Sequence, residues 1–213
     1  MTTILETAYQ KHHTGKRRGG FAILEKERGL LFKRLIGTGQ RVLDLGCRDG
    51  VITKYFCEGN EVVGVDIDSV ILLAAQKNLG ISTLNFDIQS EQWPIVAQSF
   101  DVVVAGELLE HVYFPGEILH KINELLKPGG RCIGSVPNAF ALKNRVKYLF
   151  GIKHGTPLAD PMHINQFSRA ELQELLKGNF TKHKLFPLGK KYLGLATYLP
   201  GWLGHSLAFM ATK

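Results

Sequence analysis

The sequence predicts an α/β domain: a parallel sheet with helices on both faces. Two observations carry this. Short apolar runs of strand character alternate with helix-length segments through the middle of the chain, and the first of those runs ends in an acid followed by a glycine-rich turn. Strands separated by helices must lie parallel and be joined by right-handed crossovers, which places helices over the sheet. A chain of 213 residues fits one such domain with a real core.

The elements follow in order. Phe21 to Ile36 (FAILEKERGLLFKRLI) has helical spacing and precedes the first strand. RVLDL, Arg41 to Leu45, reads as a short buried strand, followed by glycine punctuation and a helix-length segment to Cys57. EVVGVD, Glu61 to Asp66, is the second strand, and Ser69 can cap a helix, VILLAAQKNLG, that stops at Gly80. A weaker strand runs near Ile81 to Phe86, and FDVVVAG, Phe100 to Gly106, is the clearest buried strand. A helix from Pro115 to Leu126 ends at Lys127-Pro128-Gly129-Gly130, a stop and turn before the strand RCIGSVP, Arg131 to Pro137. Residues 138–166 are too long for an ordinary loop and read as a functional insertion. Ser168-Arg169-Ala170-Glu171 is a capping box that opens a helix to Lys177. The most apolar stretch, Tyr192 to Met210, is interrupted by Gly194, Pro200, Gly201, Gly204 and His205, which suits a loop and a last strand, Ser206 to Thr212, rather than a membrane span.

One domain over 1–213 is therefore expected. It divides into a basic lid and helix (1–40), a cofactor-binding core (41–137), a substrate-side insertion (138–166) and a C-terminal helix and strands (167–213). Cys47, Cys57 and Cys132 make no C-x-x-C pair and no even disulfide framework, and the N-terminal MTTILETAYQKHH lacks an apolar signal core. Both point to a reducing, cytoplasmic setting. The net charge of +7 is unevenly spread. Residues 1–41 carry 9 basic and 3 acidic side chains, 42–137 carry 6 and 13, and 138–213 carry 11 and 3. Basic flanks around an acidic centre would attract an anionic substrate or surface.

The chemistry centres on VLDLGCRDG, Val42 to Gly50. In open parallel sheets ligands bind beyond the carboxyl ends of the strands, and glycines there let the backbone approach them. A helix N-terminus after the loop would offer free amides. Asp44 suits a ligand carrying an ammonium group, Asp66 at the end of the second strand can grip ribose hydroxyls, and Asp87 after the third lies within reach of an adenine edge. A nicotinamide dehydrogenase would want G-x-G-x-x-G, whereas this loop offers Gly46-x-x-x-Gly50.

The loop resembles D-x-G-x-G-x-G, the first motif of class I S-adenosylmethionine-dependent methyltransferases. The resemblance runs from Arg41 to Phe180 and takes in Asp66, Asp87, FDVVVAGELLEHV and LLKPGG in order. It implies a Rossmann-like seven-stranded, mostly parallel sheet with helices on both faces and the last strand antiparallel, and S-adenosyl-L-methionine as cofactor. Asp44, Gly46, Cys47, Arg48 and Gly50 would hold the methionine part, Asp66 and Ile67 the ribose, and Asp87 and Ile88 the adenine, with Gly106 and Glu107 nearby. Arg48 departs from the pattern by standing at the second glycine. It must point away from the cofactor or pair with its carboxylate, and a positive φ there would be strained.

Glu107, Glu110 and His111 would share one face if they lay on a helix. With His163 they resemble the E-x-x-E-H…H metal set of small-RNA 2′-O-methyltransferases. The layout is also similar to ubiquinone-biosynthesis O-methyltransferases. Such a set would hold a hard divalent cation, Mg2+, against vicinal substrate oxygens; the alternative is His111 as a metal-free general base. The basic run Lys11 to Arg18 reads as a phosphate-contacting lid or a tail. Residues 138–153 mix Phe140, Tyr148 and Phe150 with Lys143, Arg145 and Lys147, which suits a nucleic acid, an anionic membrane surface reached peripherally, or ordinary core. Asn138, just after Pro137, is the residue best placed to touch the acceptor. The expected function is methyl transfer to an oxygen of a small or lipid-linked anionic acceptor. The alternatives are an RNA 2′-O-methyltransferase and, because of Arg48, a non-catalytic methyltransferase-like binding subunit.

Overall fold

The computed structural model describes residues 7, 20–189 and 201–213. The basic run Lys11 to Arg18 and the first part of the Tyr192–Met210 stretch lie outside the described residues. Seven strands build a mostly parallel sheet, and the chain divides into two compact units, Met1–Ile95 and Val96–Lys213.

The first unit opens with helix α1, Glu25–Ile36. It starts later than Phe21 because the chain turns at Leu24, which adopts a left-handed φ of 54°. Strands β1 (Arg41–Leu45), β2 (Glu61–Asp66) and β3 (Ser82–Asn85) lie in the order β3-β2-β1, all parallel. Asp44 sits opposite Gly64 in that register. The segment after β1 is not the α-helix its length suggests: only a 3-10 turn forms, Thr53–Tyr55. Val51, Ile52 and Thr53 are three β-branched residues in a row, which resist helix, and the Thr53 side chain is engaged by Asp44. Gly29 of α1 receives the Tyr55 ring, since a Cβ there would stand 2.3 Å from it. Helix α2 spans Ser69–Leu79 and ends at Gly80 in the left-handed conformation that glycine tolerates. Its cap is Asp68 rather than Ser69, with the carboxylate accepting from the Val70 and Ile71 amides. Asp at that position adds its charge to the positive end of the helix, which serine cannot.

In the second unit β4 (Phe100–Gly106), β5 (Leu126–Pro137), β6 (Lys182–Leu188) and β7 (Ser206–Thr212) lie in the order β4-β5-β7-β6. β5 is parallel to β4, while β7, last in the chain, is antiparallel to both neighbours. Helix α3, Pro115–Leu125, buries Ile118, Leu119, Ile122 and Leu125 at helical spacing and packs on β4 and β5. The Lys127–Gly130 turn does not precede β5 but lies inside it. Register passes from Phe100↔Leu126 to Val102↔Arg131, so the intervening residues bulge out, pinned by the Lys127–Asp101 ion pair at 2.8 Å. The insertion holds helix α4, Leu142–Leu149, and a 3-10 turn, Pro157–Ala159. Helix α5, Arg169–Lys177, opens on the expected capping box, with Ser168 and Glu171 bonded reciprocally. No helix among the described residues is long and apolar enough to cross a membrane.

Gly134 shows how tightly the second unit packs: a Cβ there would stand 2.4 Å from Phe209 Cζ and 2.5 Å from the Ala105 carbonyl. Gly134→Ala is expected to lower the urea-unfolding free energy by about 1–3 kcal/mol through overpacking. An unchanged midpoint would contradict this packing.

Candidate active site

The first unit gathers the residues expected at the cofactor. The loop after β1 is knitted to β2 by its own amides. Gly46 and Cys47 both donate to the Val65 carbonyl at 2.8 and 3.0 Å, and Arg48 N donates to Asp66 Oδ2 at 3.1 Å. The other Asp66 oxygen accepts from Asp68 N at 3.0 Å. Asp66 is buried, and its carboxylate thus joins the loop to the start of α2. Two glycines make the loop possible. A Cβ at Gly64 would stand 2.7 Å from Cys47 Sγ, and one at Gly50 would stand 2.4 Å from Leu79 Cδ1. The helix N-terminus expected directly after the loop does not form; the 3-10 turn Thr53–Tyr55 stands there instead.

Arg48 does take the left-handed conformation, with φ 53°. A non-glycine residue there costs on the order of 1 kcal/mol. The Asp66 bond to its amide and the Nη1 bond to the Phe21 carbonyl, 3.3 Å, offset the strain and direct the side chain toward the α1 side of the loop. Asp44 is buried and accepts from Thr53 Oγ1 at 2.6 Å. Burial pushes its carboxyl up to about 7, the Thr53 hydroxyl pulls the other way, and the Asp66 charge adds to the rise. Asp87 is half-buried, and its Oδ1 accepts from Gln89 N at 2.8 Å.

Sequence reasoning passed over three residues that shape this unit. Thr53 holds Asp44. The Asn85 amide group bridges the carbonyls of Asp66 and Ile67 at 3.0 and 2.9 Å, tying the end of β3 to that of β2. Trp93 Nε1 donates to the Ile88 carbonyl at 2.9 Å and fixes the Asp87–Ile88 turn. Only Trp93 carries a signal in the sequence, as a lone aromatic in a polar turn.

The second unit holds the other candidates. After Gly106, Glu107 takes a left-handed φ of 54°, with its amide bonded to the Ser135 carbonyl at 2.8 Å. A 3-10 turn, Leu109–His111, follows where a helix was expected. The i, i+3, i+4 face proposed for Glu107, Glu110 and His111 therefore does not form. Among the described residues the group that brings ligand atoms together is Glu110, His111 and His163, all within 4.8 Å of one another, and Glu107 is not part of it. Glu110 is buried, and the two imidazoles meet edge to face with centroids 4.9 Å apart. His111 Nδ1 lies 2.9 Å from the Met162 carbonyl and His163 Nδ1 lies 3.1 Å from that of Pro157. Burial holds the His111 ring down to about 4, against the pull of the Met162 carbonyl. Asn165 clamps the turn from the insertion: its backbone amide donates to the Glu110 carbonyl, and its side chain to those of Leu109 and Val112. Asn138, expected at the acceptor, is buried. It bonds the His205 carbonyl through its amide and receives the Asn144 side chain on its own carbonyl. Two imidazoles with one carboxylate also suit an imidazole-favouring divalent ion better than Mg2+, which seeks oxygens, so the Mg2+ expectation is not supported.

A mostly parallel sheet with acids at or beside the carboxyl ends of successive strands, and a loop without dinucleotide spacing, defines a Rossmann-like domain of the methyltransferase type. Residues 17–180 match the family described as methyltransferase domain. The chain belongs to this family of S-adenosylmethionine-dependent methyltransferases. A "Ubiquinone biosynthesis O-methyltransferase" of Psychrobacter cryohalolentis is 35% identical over 121 residues, 54% of this chain and 46% of that one. The chain spans about half the length of the curated relatives it matches. Solved structures share the fold. A SAM-dependent methyltransferase from Archaeoglobus fulgidus aligns at TM-score 0.69 and 17% identity, covering 94% of this chain and 99% of that one. A methyltransferase from Thermotoga maritima, described as a possible histamine N-methyltransferase, aligns at 0.70 and 18%, covering all of both chains.

A carboxyl whose folded pKa is raised above its unfolded value costs the folded state on ionising. The ligand-free protein is therefore expected to lose stability from this group as pH rises from about 4 to about 7. Asp44→Asn removes that loss. Its thermal midpoint relative to the wild type should climb across that window and stay higher at pH 8. Parallel midpoint curves would contradict a raised Asp44.

Proposed function

We propose that this chain moves the methyl group of S-adenosylmethionine to an oxygen of a small or lipid-linked anionic acceptor, with His111 as general base. The observation that carries this reading is the proton arrangement of His111. A carbonyl only accepts, so the 2.9 Å contact with Met162 requires the proton on Nδ1 and leaves Nε2 a lone pair. With the ring held down to about 4, it is neutral throughout the physiological range and always in the accepting form. An acceptor hydroxyl would lose its proton to Nε2 as its oxygen bonds the methyl carbon and the carbon–sulfur bond breaks, leaving S-adenosylhomocysteine. The cofactor supplies a methyl group already activated as a sulfonium, so alignment accounts for most of the remaining rate. Oxygen as the acceptor atom is supported by the Psychrobacter relative, which is described as an O-methyltransferase. An anionic acceptor is supported by 11 basic against 3 acidic residues over 138–213.

The same turn supports a second reading, a bound divalent ion. Each imidazole hands its Nδ1 proton to a backbone carbonyl and keeps Nε2 for a ligand, and Glu110 lies close by. That is the supporting arrangement metal-binding histidines use. A cation held by Glu110, His111 and His163 would lower the pKa of the acceptor hydroxyl.

Labelled methyl transfer to candidate phenols, lipid-linked phenols and RNA tests both readings. Under the first, activity survives exhaustive chelation. His111→Gln then costs about 10²–10⁴-fold in kcat while His163→Ala costs far less. The rate should stay flat through pH 6.5 and fall only toward about 4, where the ring protonates. Loss on chelation, reversed by added divalent ion and lost equally in His163→Ala, would replace the first reading with the second. No transfer to any acceptor would favour a binding subunit.

A further inference from the structure

Helix α4 is amphipathic the wrong way round for a helix packed on a core. At about 100° per residue, Leu142, Val146 and Leu149 fall on one side and Asn144 and Tyr148 on the other. The side turned inward is polar: Asn144 is buried and donates to the Asn138 carbonyl, and the Tyr148 ring meets Phe140. The side turned outward is apolar, with Leu142 43%, Val146 50% and Leu149 81% exposed. The chain beyond the helix continues the patch with Phe150 at 72% and Ile152 at 48%, and Trp202, whose carbonyl accepts from Leu142 N, is 48% exposed. Exposed apolar side chains grouped in this way mark an interaction site.

The charges around it select the partner. Lys143, Arg145, Lys147 and Lys153 alternate with these residues along the chain, and no acidic residue occurs between 138 and 159. Arg145 is held in place by its Nε bond to the Phe140 carbonyl and by the Trp202 ring, 5.1 Å away. Lys147 Nζ donates to the His154 carbonyl at 2.9 Å. A second copy would set these cations against their own kind. A lipid surface answers both features at once: acyl chains take Leu149 and Phe150, anionic headgroups take the cations, and tryptophan suits the boundary between them.

We infer that the outward face of α4 with Phe150, Ile152 and Trp202 docks this chain on an anionic lipid surface. The inference rests on that face alone and not on the identity of the methyl acceptor.

Co-sedimentation of the full chain with vesicles tests it, without cofactor or acceptor, so its outcome is separate from that of the methyl-transfer assays. Vesicles of equal parts phosphatidylcholine and phosphatidylglycerol should bind at least about tenfold more protein than phosphatidylcholine alone, and added salt should erase the difference. Leu149→Glu and Phe150→Glu, both at exposed positions, should abolish binding with the circular dichroism and thermal midpoint unchanged. Lys143→Glu should weaken it only on the anionic vesicles. Equal binding to both vesicles, no binding to either, or full binding by the folded Leu149→Glu variant would overturn the inference. So would concentration-dependent self-association that disappears in Leu149→Glu, which would make a second copy the occupant.

Discussion

The Asp66 carboxylate is the constraint from which the first unit's site follows. One oxygen receives the Arg48 amide and the other the Asp68 amide. The first bond holds the loop after β1 in a left-handed turn that arginine would not choose; the second sets Asp68 to cap α2. A buried carboxylate is tolerated only when hydrogen bonds replace its water, and here the backbone supplies them. A family pattern that puts glycine at position 48 would relieve that turn by conformational freedom. This chain uses arginine instead and compensates with the Asp66 bond and the side-chain contact to Phe21.

The second unit relies on backbone carbonyls in the same way. Met162 and Pro157 fix the tautomers of His111 and His163, while Asn165 holds the 3-10 turn that carries Glu110 and His111. All of these partners come from the insertion after β5. That segment therefore helps build the turn that carries Glu110 and His111. Its helix α4 turns its apolar side outward, which a purely packing role would not explain.

Much of the fold was legible where punctuation and periodicity agree. β1, β2 and β4 match their expected bounds, α3 differs by one residue at its end, and the Ser168–Glu171 capping box opens α5 as expected. The departures have physical causes. Asp68 outcompetes Ser69 as cap because it adds charge to hydrogen bonding. The Lys127–Gly130 turn is absorbed into β5 as a bulge, which composition cannot distinguish from a strand boundary. β6 carries Pro187, which argues against a central strand, and it is tolerated because β6 lies at the outside of the order. Asp44 and Asp66 stood out in the sequence because acids in buried strands are unusual. Thr53, Asn85 and Asn165 did not, because their roles are hydrogen bonds across 9 to 56 residues of sequence separation that no local pattern encodes. The shared face of Glu107, Glu110 and His111 does not form because it required a helix, where the chain instead has a left-handed residue and a 3-10 turn.

We propose that the β1 loop, Asp44 and Asp66 receive the ammonium and ribose of an adenosyl amino acid. Calorimetric titration with S-adenosylhomocysteine at pH 6, in two buffers of different ionisation enthalpy, tests it most directly. Binding is expected to be micromolar, with a proton released as the ligand's ammonium ionises Asp44 and no such release in Asp44→Asn. Asp66→Ala should weaken binding by about 1.5–3 kcal/mol. Tight binding without proton release would place the ammonium elsewhere, and no binding at all would contradict the assignment of this loop as a cofactor site.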